Sequence, residues 1–166
     1  MSNIQYAFIS RALVPDRGTL QASIDGLGFD LTLHPEYTPF EDSGFLPFVL
    51  QGEDGPGFEI TYQDARDLTG DDEAMRVIAS DLDYCISMVW HGSMRDLACV
   101  MIVSYALAKD FGAVVSYEGN PSELPTALLL GVHEALREAK FEREQASSKQ
   151  PAPSELARQK PWWKIW

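Results

Sequence analysis

The chain of 166 residues predicts an α+β domain, a mixed β-sheet packed by two or three α-helices mostly on one face. Three observations carry that expectation. Two stretches read strand, helix, strand; a glycine-rich hairpin signature lies between them; and the length suits one core, with 45% hydrophobic and 23% charged residues. The expected division is a domain over residues 1–144 and a flexible tail over 145–166.

Taken in order, residues 4–10 are rich in β-formers and predict a first strand. Asp16 is placed to cap a helix in which Leu20, Ile24 and Leu27 recur at helical spacing, and Gly26 and Gly28 would end it. In residues 29–33, Phe29, Leu31 and Leu33 alternate with Asp30 and Thr32, the period of a half-buried strand. Residues 34–44 hold two prolines and three acids and predict a surface loop. Residues 45–50 and 58–62 predict a hairpin across a seven-residue, three-glycine connection, with Pro47 marking an edge or a bulge. Residues 64–80 are ambiguous, with a short helix through Ala74, Val77 and Ile78 as the best reading.

The second half is more legible. Residues 84–90 predict a strand, His91-Gly92 a turn, and Ser93 with Asp96 a capping box. Residues 97–108 are apolar nearly all round, which requires a helix covered on most sides. At twelve residues the stretch is too short to span a bilayer. Gly112 ends this helix before a strand over 113–117. Asn120-Pro121-Ser122-Glu123 supplies a cap, a first-turn proline and an acid, so the last helix is expected to start there and run through Leu124, Leu128, Val132, Leu136 and Ala139.

Charge is the clearest functional signal. Residues 18–65 contain nine acids and no lysine or arginine, and extending to residue 83 gives fifteen acids against Arg66 and Arg76. The whole chain carries a formal charge of −12. Such a balance disfavours nucleic acid or an anionic membrane as partner and favours a basic protein. Glu36, Glu41, Asp42, Glu53, Asp54, Asp71, Asp72 and Glu73 fall in expected loops and form the candidate contact surface, with Tyr37, Phe40 and Tyr62 as aromatic anchors. The plainer alternative is an acidic surface that serves solubility.

Other chemistry finds little support. Asp71-Asp72-Glu73 lacks the spacing of a calcium loop, Asp81-x-Asp83 is too common a pattern to be diagnostic, and His34, His91 and His133 are scattered, so neither metal nor cofactor is expected. Cys85 and Cys99 read as buried thiols; with no Cys-x-x-Cys and no secretory signal, a cytoplasmic chain is expected. Ser93 lacks the Gly-x-Ser-x-Gly frame of a hydrolase nucleophile, which leaves a small enzyme around Cys85, His91 and Ser93 as a weaker alternative. The end of the chain, Lys160-Pro161-Trp162-Trp163-Lys164-Ile165-Trp166, is cationic and aromatic. Trp162, Trp163 and Trp166 would dock on a partner or membrane interface, as in an adaptor, or pack on this domain or on a second copy in a homodimer.

With these residues laid out, the chain resembles the small acidic immunity proteins encoded beside bacterial polymorphic toxins of type VI secretion or contact-dependent systems. The resemblance rests on Gly44-Phe45-Leu46-Pro47 before a hairpin, Trp90-His91-Gly92 before a long alanine-rich helix, Phe111-Gly112-Ala113-Val114-Val115, and the terminal Lys160–Trp166 run. It implies a compact, non-enzymatic protein that blocks a cognate toxin, the acidic loops meeting a basic toxin surface.

Overall fold

The computed structural model describes residues 3–149. The tail tryptophans Trp162, Trp163 and Trp166 lie outside the described residues. The α+β class stands. Six strands, β1 (Asn3–Ile9), β2 (Leu31–Thr32), β3 (Gly44–Leu50), β4 (Glu53–Asp64), β5 (Tyr84–Trp90) and β6 (Val114–Tyr117), form one sheet in the order β2-β3-β4-β5-β1-β6. Every neighbouring pair is antiparallel, where the sequence suggested a mixed sheet. The strand-helix-strand runs explain the difference: β5 and β6 do point the same way, but β1 lies between them and pairs with both. A crossover read from sequence fixes relative direction and is silent on what inserts between.

Among the described residues five α-helices pack on this sheet: α1 (Arg17–Gly26), α2 (Ala65–Thr69), α3 (Glu73–Ala79), α4 (Met94–Asp110) and α5 (Pro125–Lys149). The main core lies on one face, where α4 rests on the sheet with α1 and α5 around it. Every residue of α4 from Ala98 to Leu107 is buried. Leu20 and Ile24 of α1 and Leu128, Val132, Ala135 and Ala139 of α5 supply the cover that an all-round apolar helix demands. On the other face the small helices α2 and α3 bury Ala65, Met75 and Ala79 against Phe8 and Cys85, which sit opposite each other on β1 and β5. The ambiguous segment is thus two short helices, with Met75 and Ala79 inward and Val77 74% exposed.

Local chemistry sets the boundaries. Asp16 accepts from the Thr19 N–H at 2.7 Å and starts α1. Ser93 caps α4 through the Arg95 and Asp96 N–H groups, but the Asp96 carboxylate does not complete the expected box and accepts instead from the Gly57 N–H at 2.9 Å. The strand expected over 29–33 is only Leu31–Thr32, and its continuation is held by a side chain: Gln21 of α1 accepts from the Leu33 N–H and donates to the Leu31 carbonyl, both at 2.8 Å. The last helix begins at Pro125, not Asn120, because Glu123 is spent on the sheet edge, its N–H donating to the Val115 carbonyl at 2.8 Å. That helix continues to Lys149, past the expected start of the tail at Gln145. Among the described residues, no helix is long and apolar enough to cross a membrane.

The hairpin is tighter than expected. Gln51 and Gly52, with φ of 52° and 76°, form a two-residue reversal of the primed type that matches strand twist, so Glu53 and Asp54 belong to β4 and not to a loop. The register then shifts between Pro47 and Val49, the bulge that Pro47 foretold, with Gly55 and Pro56 taking up the extra residue on β4. Beyond the bulge the strands approach so closely that a Cβ on Gly57 would lie 2.0 Å from the Leu46 carbonyl oxygen. Gly57→Ala therefore pushes β3 from β4 and strains the bond to Asp96. It should cost at least about 2 kcal/mol in urea unfolding, whereas an unchanged midpoint would refute the contact.

Candidate functional site

The sequence placed one acidic surface over residues 36–73. The structure divides it. Glu53 and Asp64 are the two ends of the twelve-residue β4, about 35 Å apart at the strand's rise per residue. At the hairpin end, Glu53 is already paired, at 3.0 Å to Arg95 and 2.8 Å to Arg143, which clips the hairpin to α4 and α5. Asp54, beside it, is exposed and has no ion pair among the described residues. The hairpin acids therefore serve largely as structure.

The opposite pole gathers the rest. There the loop after β2, the end of β4, the start of β5 and helices α2 and α3 converge. A turn over Thr38-Pro39-Phe40-Glu41 closes with the Glu41 N–H on the Thr38 carbonyl at 3.3 Å. Proline in its second position fits a type II turn, but the third position, which favours glycine, is Phe40 at φ 69°. An aromatic residue in left-handed backbone costs about 1–3 kcal/mol and persists only where its surroundings hold it. Here Tyr84 and Tyr62 hold the ring, with centroids 5.3 and 5.7 Å away, and the Arg11 guanidinium lies 5.3 Å from it and 4.6 Å above Tyr84. Phe40 nevertheless stays 41% exposed, beside exposed Glu36 and Glu41 and half-buried Asp42.

Next to this ring, Asp64, Asp67, Asp81 and Asp83 line a groove of about 730 Å³ between α2 and α3, with Arg66 and Arg76 at its wall. Arg11 joins the two parts: its guanidinium is 3.5 Å from Asp64 and its backbone N–H donates to Asp83 at 2.8 Å. Asp71, Asp72 and Glu73 sit at the α2–α3 junction, all exposed. Asp72 caps α3 through the Met75 N–H at 3.0 Å, and Glu73 is the helix's first residue, so these acids are helix-start residues as well as surface charge.

Two expected anchors lie deeper than the sequence implied. Tyr37 is only 7% exposed, its hydroxyl bonded to that of partly buried Tyr62, so it supports the pole from within. Burial pushes the Tyr37 hydroxyl up to about 12, and pushes Tyr62 up as well, with the neighbouring Tyr37 adding to the effect. The catalytic alternative is not assembled. Cys85 and His91 are six residues apart along β5 and its extension, about 20 Å. Burial drives both the Cys85 and Cys99 thiols up to about 12, against the thiolate a nucleophile needs. His91 bonds Glu59 at 3.0 Å and Ser93 is a helix cap. Among the described residues, no group of three or more His, Cys, Asp or Glu side chains is arranged to hold a metal ion.

Sequence reasoning missed Arg11 and the four groove aspartates as a unit. Asp64 and Asp83 flank segments that pair only in three dimensions, Asp64 lying opposite Tyr84. The one local signal was the Thr-Pro-Phe-Glu turn, with phenylalanine where a turn of that kind calls for glycine. No protein-family model, curated protein or solved structure matches this chain.

The buried hydroxyl gives a pH prediction. Tyr37 titrates near 10 when unfolded and about 12 when folded, so its contribution is complete below pH 10 and is lost as pH rises through 12. Urea unfolding should show a loss of about 2–3 kcal/mol over that interval from Tyr37. The two buried thiols add to the decline from near pH 9. Tyr37→Phe should make the profile shallower, with Tyr62 and the thiols keeping part of the decline; an identical decline in that variant would show that Tyr37 ionises freely in the native protein.

Proposed function

We propose that this chain is a non-enzymatic binding protein that neutralises a cognate protein toxin by occluding it with the acidic pole around Phe40. The observation that supports this reading best is Phe40 itself, an exposed aromatic ring held in costly backbone geometry, followed in the chain by Glu41 and Asp42 and flanked by Arg11. Interfaces draw most of their energy from a few aromatic or arginine anchors surrounded by polar contacts. A ring that only filled the core would need neither the exposure nor the strain. The groove acids extend the same electrostatic face, which would steer a basic surface into register and raise the association rate at low salt. The resemblance to immunity proteins points to the same class of partner, and the charge balance suits a toxin with a basic face, such as one that acts on nucleic acid or nucleotides.

The test is affinity capture from cells of the source organism, with wild-type protein and with Phe40→Ala and a Glu41→Lys/Asp67→Lys/Asp81→Lys variant as parallel baits. The expected result is one basic partner in stoichiometric amount, weakened by moderate salt and lost or reduced at least about tenfold with either bait variant. That partner should be toxic when expressed alone and harmless when co-expressed with this chain. A captured protein whose toxicity this chain leaves unchanged, or equal capture by all three baits, would refute the proposal.

A further inference from the structure

A second site lies away from the acidic pole, on the helix-covered face where β1, β5 and β6 end beneath the first turns of α4. Trp90, Tyr117, Met94, Leu97 and Met101 wall a groove of about 380 Å³, within the size range of ligand pockets, with Gln5 on its floor and Glu123 at its rim. Trp90 and Tyr117 stand 5.9 Å apart with their planes 43° to one another. The Tyr117 hydroxyl is oriented by a 3.0 Å bond to Asn3. Gln5 is 2% exposed and its enclosed Nε2 has no hydrogen-bond partner among the described residues. Buried amides are almost always satisfied, and a position flanked by Met88 and Tyr117 across the sheet would accept leucine or methionine if packing were its whole role. The groove thus offers aromatic and thioether walls, a glutamine whose amide nitrogen is enclosed just beneath its floor, and one carboxylate. That set suits an aromatic side chain attached to a peptide carbonyl and accompanied by a cation.

We propose that the occupant is the segment Lys160–Trp166 of this same chain, with a tryptophan in the groove, the Gln5 amide turned outward to donate to a backbone carbonyl, and a lysine facing Glu123. The connection permits it. Glu142 of α5 accepts from the Met94 N–H at 3.2 Å, and Ala146 and Ser147 lie beside Arg95, so the helix leaves the domain next to the turn that forms the groove wall. From Glu142 to Lys149 the helix advances about 10 Å, and the residues from there to Trp163 span up to about 45 Å when extended, more than the return requires. Lys160 and Lys164 bracket Trp162 and Trp163, so either indole brings a positive charge with it. This proposal is independent of the toxin reading and uses none of its residues.

The test is photo-crosslinking in the full chain with Trp163→p-benzoylphenylalanine, a probe that reacts readily with methionine and other nearby C–H groups. The expected product is a covalent link from position 163 to Met94, Leu97 or Met101 within one molecule, in a yield independent of protein concentration. Adding Gln5→Leu, or the rim variant Glu123→Lys, should lower that yield about 3- to 10-fold, the weight of one polar contact, while thermal unfolding stays cooperative. Links to other parts of the domain, a covalent dimer, no link, or a yield indifferent to both added variants would each overturn the assignment.

Discussion

The structure depends on covering α4. A helix buried at every position from Ala98 to Leu107 exposes no polar face to water, so it exists only inside a shell. The sheet supplies the floor, with Ile9, Phe58, Ile60, Ile86 and Met88 facing the helix, and α1 and α5 supply the walls. The cap on Ser93 and the Asp96 bond to Gly57 fix where α4 enters this shell. They tie the helix's first turn to the hairpin bulge, where the strands admit only glycine. The ion pairs of Glu53 with Arg95 and Arg143 fasten the same corner from outside. One corner thus sets the register of β3 on β4, the position of α4 and the reach of α5.

That arrangement also decides where charge can go. The α4 layer takes most of the apolar side chains, leaving carboxylates for the strand ends and for the small helices on the far face. Because β4 runs the length of the sheet, acids adjacent in sequence are carried to opposite poles. The hairpin pole is largely neutralised by two arginines from the helical layer. The Phe40 pole has Arg11 beside Asp64 and Asp83, and more carboxylates than it can pair. The difference between the poles comes from topology as much as from composition.

The local chemistry was legible in the sequence wherever one residue decides the outcome: the Asp16 and Ser93 caps, the bulge at Pro47 and the all-round burial of α4. Signals that compete were misread. Pro121 and Pro125 both qualify as a first-turn proline, and the sheet bridge at Glu123, invisible in sequence, selects the second. Gln51-Gly52 turns the chain although Gly55 and Gly57 offered a looser loop, because the glycines downstream serve a bulge and a close approach. At the candidate site, the acids were recognised but not their division, since β4 continues through residues that composition marks as loop. Tyr37 looked like a surface aromatic in a polar loop; its hydroxyl is bonded to that of Tyr62, twenty-five residues on. Arg11, the residue that joins the two parts of the pole, is linked to Asp64 and Asp83 solely through the fold.

The central claim is that recognition belongs to the Phe40 pole and not to the hairpin. Hydrogen exchange of the full chain, alone and saturated with its captured partner, measures this most directly, because it reports which backbone amides the partner shields. The account predicts slowed exchange over residues 36–42 and 64–83, with residues 51–54 at the hairpin tip unchanged. Shielding confined to the hairpin tip, with the Phe40 turn and the α2–α3 groove exchanging as in the free protein, would contradict it.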